Sequence, residues 1–302
     1  MSFLAFAINY FFLPLDSFNN FRQSCRDKLL NESKTGSNYS KFLCYNQGMY
    51  LAVDIGGTKT LIALFSKRGR VIRRFKFKTA RKFNKFLGDL EVALAEFKKY
   101  KITTITVAIP GLVQKNYSVS LGNRDWDKID LYTPIKSLFG CPVYFENDAN
   151  LATLYESSFY TGRVVFLTFS TGIGGGVAEK GKLLSESSKF EPGHKIYTYN
   201  EKKAEWEDIA AASALEKYYH VDYATDLRKK AIMMDVANRI TLGLPSIIGK
   251  YHPDVVIIGG PMGKIFKRFY KYMPELGVEY KRPKRPLESV IYGCYLFSKN
   301  KN

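Results

Sequence analysis

Two segments far apart in the chain share one construction. "YLAVDIGGTKTLIALF" (50–65) and "VVFLTFSTGIGGGVAEK" (164–180) each read as an apolar strand, a Gly/Thr turn and a second strand. A repeated strand–turn–strand opening points to two similar α/β halves. It also limits what the turns do. A glycine-rich turn between strands exposes backbone N–H groups with little side-chain bulk, a concavity suited to an anion and above all to phosphate. Two such turns, one from each half, can face each other across a cleft and hold a polyphosphate chain. A third glycine turn closes "DVVIIGGPMG" (254–263), where it can hold the far end of a nucleotide. One such turn alone reads equally well as a bulge in an edge strand. Three in this order, with Asp54 ahead of the first, are more specific.

Between the turns the pattern alternates. Strands at 50–54, 59–65 and 70–78 form a meander. A helix is expected over 82–99, where Phe83, Phe86, Leu87, Leu90, Ala93, Leu94 and Phe97 recur at helical spacing. Strands at 102–110 and 142–148 precede a helix from Ala149 to Phe159. The second half adds helices at 204–219 and 226–250, a strand at 254–263 and a last helix at 287–297. Residues 1–48 lack this order: an aromatic opening gives way to a polar, aperiodic run. The compact fold is expected to begin at Met49. The preceding segment is either an upstream start or a short appended piece, too short for a winged DNA-binding domain and without a helix-turn-helix pattern.

Lys and Arg number 46 against 28 Asp and Glu, a formal charge of +18. Such a surface favours polyanions, although a solvated basic face accounts for it more simply. None of the four cysteines stands in a C-x-x-C pair. A disulfide framework or zinc site is not expected, and reduced thiols in a cytoplasm are. No run of ~18 apolar residues exists, so no membrane span is expected.

"DIGGTKT", "ENDAN", "STGIGGG", "EPGH" and "IIGGPMG" together resemble the ROK family of sugar kinases and repressors, in family order from Met49 to about Phe297. The resemblance implies two actin-like (ribonuclease H-like) domains, 49–160 and 161–302, each a mixed sheet with flanking helices, around a central cleft. The last helix would pack back on the first domain. It implies a cytoplasmic, ATP- and Mg²⁺-dependent kinase acting on the 6-hydroxyl of a hexose, glucose foremost. Gly56, Gly57, Thr58 and Lys59 would approach the transferring phosphate, and Asp54 would sit near Mg²⁺ through water. Thr171, Gly172 and Gly174 would form the second phosphate clamp, and Gly259 and Gly260 the adenosine-side turn. Asn123, Asn147, Asp148, Glu191, His194 and Glu207 would contact the sugar, with Asp148 as general base. Helix capping is the plainer reading of Asp148, an Asx turn that of Asp54, and a first-turn glutamate that of Glu207.

Departures from the family pattern matter. In much of the family the histidine also binds zinc, completed by a C-x-C-G-x-x-G-C segment. The matching stretch here, "YNEKKAEWEDIAAASALEKYY" (199–219), has no cysteine, so no zinc is expected. Pro192 stiffens the Glu191–His194 loop, and Ser170 takes a position usually glycine. The zinc-free branch includes polyphosphate-dependent glucokinases, so polyphosphate is an alternative donor, and an N-acetylhexosamine is an alternative acceptor. A sugar-sensing regulator without its own DNA-binding domain is the alternative of another class. The partners expected are hexose and nucleotide, a homodimer being compatible, with no specific nucleic acid and no membrane.

Overall fold

The computed structural model describes residues 48–111, 118–119, 126, 129–220 and 229–301. Strand β1 (Met49–Ile55) is buried on both faces and pairs antiparallel with β2 (Lys59–Ser66), which pairs with β3 (Val71–Lys78). Helix α1 (Phe83–Ala95) buries Phe86, Leu90, Ala93 and Leu94, one stripe at helical spacing. It leads to β4 (Ile102–Ile109), which lies parallel to β1. A two-stranded pair, β5 (Ser118–Val119) and β6 (Ile129–Asp130), and helix α2 (Tyr132–Phe139) precede β7 (Val143–Asn147), parallel to β4. The first sheet therefore has the order β3-β2-β1-β4-β7. Helix α3 (Asp148–Ser157) follows β7 with no connecting residue.

The second half restarts the same topology. β8 (Arg163–Phe169) pairs antiparallel with β9 (Ile173–Glu179), which pairs with β10 (Lys182–Leu183). A hairpin, β11 (Ile196–Tyr199) and β12 (Lys202–Glu205), runs into α4 (Trp206–Ala210) and α5 (Ala212–Tyr219). Then come α6 (Lys230–Thr241), α7 (Leu244–Tyr251), β13 (Val255–Gly259), α8 (Gly260–Lys264), α9 (Phe266–Phe269), β14 (Glu279–Lys281) and α10 (Ser289–Lys301). The sheet order is β10-β9-β8-β13-β14. Two five-stranded mixed sheets with flanking helices are the α/β architecture expected, and the strand–turn–strand repeat is the β1–β2 and β8–β9 pair.

Two expected elements differ. The helix expected over 204–219 begins as strand β12 and then breaks into α4 and α5, because Ala211 is extended (ψ 152°). Within the helix expected over 226–250, Gly243 separates α6 from α7 and Pro245 enters the first turn of α7. The stretch Lys230–Tyr251 is long and apolar enough to cross a membrane by length and composition. It is a core element: Met233, Val236, Ile240, Leu244 and Ile247 are buried against the second sheet.

Helix α3 joins the halves. It is buried from Ala149 to Ser157 and packs against β8, β9 and α10. Two glycines permit this. A Cβ at Gly176 would stand 2.4 Å from Thr153 Oγ1, and one at Gly293 would stand 2.0 Å from the Leu151 carbonyl oxygen. The polar groups of α3 are satisfied internally, as burial demands. Glu156, with no exposed surface, accepts hydrogen bonds from the Lys284 and Arg285 amides (2.8 and 3.3 Å) and from Ser289 Oγ (2.6 Å). Those bonds fasten the chain that returns α10 to β1 and β4 of the first sheet.

Candidate functional site

The carboxyl end of the first sheet supplies one wall of the site. β1 delivers Asp54, β7 delivers Glu146 and Asn147, and α3 opens with Asp148. Asn147, not Asp148, caps α3. Its Oδ1 accepts from the Asn150 amide (3.1 Å), while its Nδ2 donates to the Gly111 carbonyl (3.0 Å). Asp148 thus occupies the first helical position, and its Oδ1 accepts from the Ala149 amide at 2.8 Å.

The two aspartates have altered proton affinity. Burial, reinforced by the Asp148 charge and opposed by Lys76, pushes the Asp54 carboxyl up to about 7. Burial also lifts Asp148 to about 6; the Ala149 amide works against that shift and the Glu191 charge adds to it.

The second half supplies the facing wall. The β8–β9 turn carries Ser170, Thr171 and Gly172, closed by the Ser170 amide donating to the Gly172 carbonyl (2.9 Å). Ser213 of α5 holds it from behind, with Oγ donating to the Thr171 carbonyl (2.8 Å). Glu207, in the first turn of α4, accepts from the Ile173 amide at 3.2 Å. Its carboxylate packs against two residues that lack side chains: a Cβ on Gly172 or on Gly193 would lie 2.6 Å from Glu207 Oε2. His194 Nδ1 lies 2.9 Å from Glu205 Oε2 and 3.9 Å from Glu207 Oε1. The Glu205 hydrogen bond raises the imidazole's proton affinity. Glu191 is also raised, by burial first and by Glu207, with His194 opposing.

These walls enclose a cavity of about 630 Å³. It brings together Asn147, Asp148, Glu191, His194 and Glu207 with Thr171, Gly172 and Gly174. Asn123 lies outside the described residues. Asp54, Gly56, Gly57, Thr58, Lys59, Gly259 and Gly260 are not on the cavity lining. Asp54 is linked to the site through the charge of Asp148, which raises its proton affinity. Gly260 reaches it through Thr168, a lining residue whose Oγ1 would stand 2.8 Å from a Cβ at that glycine (φ +66°). The first turn is braced by Thr79, whose Oγ1 donates to the Gly56 carbonyl (2.9 Å) and whose amide donates to the Thr58 carbonyl (3.0 Å).

Sequence reasoning missed several contributors. Glu146 Oε1 accepts from the Asn147 amide and from Asn150 Nδ2, both at 2.9 Å. Asn150 Oδ1 accepts from Ser187 Oγ (2.7 Å), and Ser187 Oγ accepts from the Val177 amide (2.9 Å). This chain of bonds locks the two walls together. "FENDAN" contains three of its members, Glu146, Asn147 and Asn150, but nothing in the sequence announces Ser187. Glu205 was also missed. With His194 and Glu207 it forms a trio whose donor atoms lie within 4.8 Å of one another. Among the described residues the cysteines are Cys141 and Cys294, and neither lines the cavity.

The architecture has known counterparts. The glucokinase of Thermotoga maritima is 25% identical over 285 residues, covering 77% of this chain and 88% of that protein. The xylose repressor of Bacillus spizizenii is 28% identical over 185 residues, covering 53% of this chain and 48% of the repressor. The alignment to the repressor thus spans about half of that protein. Among solved structures, a glucokinase of Streptomyces griseus in complex with glucose and AMPPNP superposes with a TM-score of 0.68 at 21% identity, covering 84% of this chain and 100% of that one. The sequence pattern described as the ROK family matches residues 50–280, well over half the chain. Carrying that pattern on the same fold, the chain belongs to the ROK family.

Proposed function

We propose that the protein is a sugar kinase that transfers the terminal phosphate of ATP to the 6-hydroxyl of a hexose, in the manner of a glucokinase. The observation that supports it most is Asp148, a carboxyl held at about 6 in a cavity ringed by hydrogen-bonding groups. A base of that strength is ionised at neutral pH yet accepts a proton readily. As the new O–P bond forms and the bond to the leaving diphosphate breaks, the hydroxyl proton passes to an Asp148 carboxylate oxygen.

Glu191, His194 and Glu207 supply acceptors and a donor for the other sugar hydroxyls, and Glu205 keeps the imidazole oriented. The β1–β2 and β8–β9 turns offer their backbones to the phosphates, and the turn at Gly259–Gly260 its backbone to the nucleoside. Phosphoryl transfer asks for such positioning together with charge neutralisation. A Mg²⁺ ion would supply the latter by offsetting charge on the phosphate oxygens. Asp54 is the residue that would hold it, since a largely hydrated Mg²⁺ is held through one or two carboxylates. We propose further that the two sheets belong to two lobes, 49–160 and 161–302, that close on the sugar. No zinc is assigned a role.

A coupled assay of purified protein with Mg²⁺ against a hexose panel, run separately with ATP and with polyphosphate, tests the reading. Turnover of one hexose with ATP supports it. Turnover only with polyphosphate replaces the donor, and preference for an N-acetylhexosamine replaces the acceptor. Sugar binding without any turnover overturns it in favour of a sugar sensor.

A further inference from the structure

A polar cluster beyond the cavity plays no part in the chemistry above. Asp235, on α6, accepts hydrogen bonds from the hydroxyls of Tyr199 and Tyr219 and from Arg239 Nε at 2.6 Å. The Arg239 guanidinium lies 4.0 Å from the ring centre of Tyr218 and 4.6 Å from that of Tyr199. Its Nη1 donates to the Ile209 carbonyl (3.2 Å). Arg239 is only 4% exposed. A buried ion pair is costly unless its groups are satisfied, and here carboxylate, carbonyl and ring faces satisfy them.

The cluster grips the β11–β12 hairpin at both ends. Tyr199 is the last residue before the tip, where Asn200 and Glu201 take left-handed conformations (φ +49° and +63°). At the base, Trp206 Nε1 donates to the Arg239 carbonyl (2.9 Å), and the Trp206 amide donates to the Lys195 carbonyl (2.9 Å). Glu205 and Glu207 flank Trp206 directly. A two-stranded hairpin is marginal by itself, and this one leaves Ile196 65% exposed on its outer side.

We propose that Asp235, Arg239 and Tyr199 form a clamp that positions Glu207 on the sugar wall of the cavity and Glu205 behind it against His194, acting as positioning residues for sugar binding. The proposal rests on the reading of that wall as the sugar site. Without the clamp, sugar binding has to supply the ordering of the hairpin.

Tyr199→Phe removes one hydroxyl and Asp235→Asn one charge, both in the full chain. With glucose as the probe in calorimetry, each variant is expected to bind about tenfold more weakly, equivalent to ~1.4 kcal/mol. Turnover at saturating sugar stays within about threefold, the pattern of lost uniform binding. The ring resonance of His194, one of three histidines, moves toward its position in Glu205→Gln well below the melting temperature. A merely structural role would lower the melting temperature and leave that resonance in place. Should Asp235→Asn fail to fold, Tyr199→Phe decides. The clamp is overturned if Glu205→Gln moves the His194 signal and Tyr199→Phe does not. If the wild type binds no sugar, the functional reading fails, and the His194 resonance still decides the clamp.

Discussion

Asp54, next to last in β1, and Asp148, the first residue after β7, stand at the same end of one sheet with only β4 between those strands, and the charge of Asp148 adds to burial in raising Asp54 to about 7. Asp148 itself stands at about 6.

Loss of the proposed base separates chemistry from binding. Asp148→Asn is expected to lower kcat by roughly 10²–10⁴ while sugar affinity stays within about tenfold. In the unaltered protein kcat/KM falls as pH drops through about 6, because the base is then protonated. Initial rates from pH 5 to 9 and calorimetry on the variant check both statements. Near-normal turnover by Asp148→Asn removes it from the base role.

The raised Asp54 also acts on stability. Its unfolded value is near 3.8 and its folded value about 7, so the folded state binds the proton more tightly. The contribution is present in full below pH ~4 and is lost as pH rises to about 7. Asp54→Asn is therefore expected to stabilise the fold at pH 8 by about 1–2 kcal/mol, discounted for the solvent reaching this half-buried side chain. Little change is expected near pH 3.5. Urea midpoints without Mg²⁺ at the two pH values test this, and equal shifts at both would remove desolvation as the cause.

The sequence made these strands and turns legible because their signals are local: apolar runs, paired glycines and a strand-end carboxylate. Asp148 was assigned to the site, yet the cap beside it fell one residue away, on Asn147, since either side chain can bond the first-turn amides. The β11–β12 hairpin carried no expectation of its own, and only its last two residues fall in the helix expected over 204–219. Its left-handed turn uses Asn200-Glu201, and glutamate gives no turn signal. Glu205 reaches His194 only because that hairpin folds back, and Ser187 meets Asn150 only because α3 crosses β9. Such contacts belong to tertiary packing. No spacing in the chain encodes them.

Close approach of α10 to α3 gives a test of packing. A Cβ at Gly293 would lie 2.0 Å from the Leu151 carbonyl oxygen and 2.4 Å from its carbon. Backbone cannot yield as a side chain does, so Gly293→Ala is expected to cost about 1–3 kcal/mol or more. It should also lower turnover, because α3 carries Asp148. Gly88, inside α1, has nothing within 4 Å of its Cβ position. Gly88→Ala is expected to stabilise by roughly 0.5–1 kcal/mol. Urea unfolding of both variants makes the comparison, and equal effects would show that helix propensity, not contact, governs Gly293.

Closure of the two proposed lobes should be visible to a protease. The connections near 158–163 and 284–287 join the halves, and each offers an exposed apolar residue, Phe159 at 47% and Leu287 at 71%. Thermolysin cuts ahead of such residues once the local backbone opens. The second connection is held by the Lys284 and Arg285 amides donating to Glu156, at the far end of the helix that begins with Asp148. If sugar draws the walls together, that helix and both connections are loaded at once. Saturating hexose is therefore expected to slow cleavage at the two sites about tenfold, with general proteolysis unchanged. Glu156→Gln keeps the shape of the side chain but removes its charge, and should speed cleavage near Leu287 with or without sugar. Identical cleavage patterns with and without a hexose that binds in calorimetry would mean that the walls are already as close as they become.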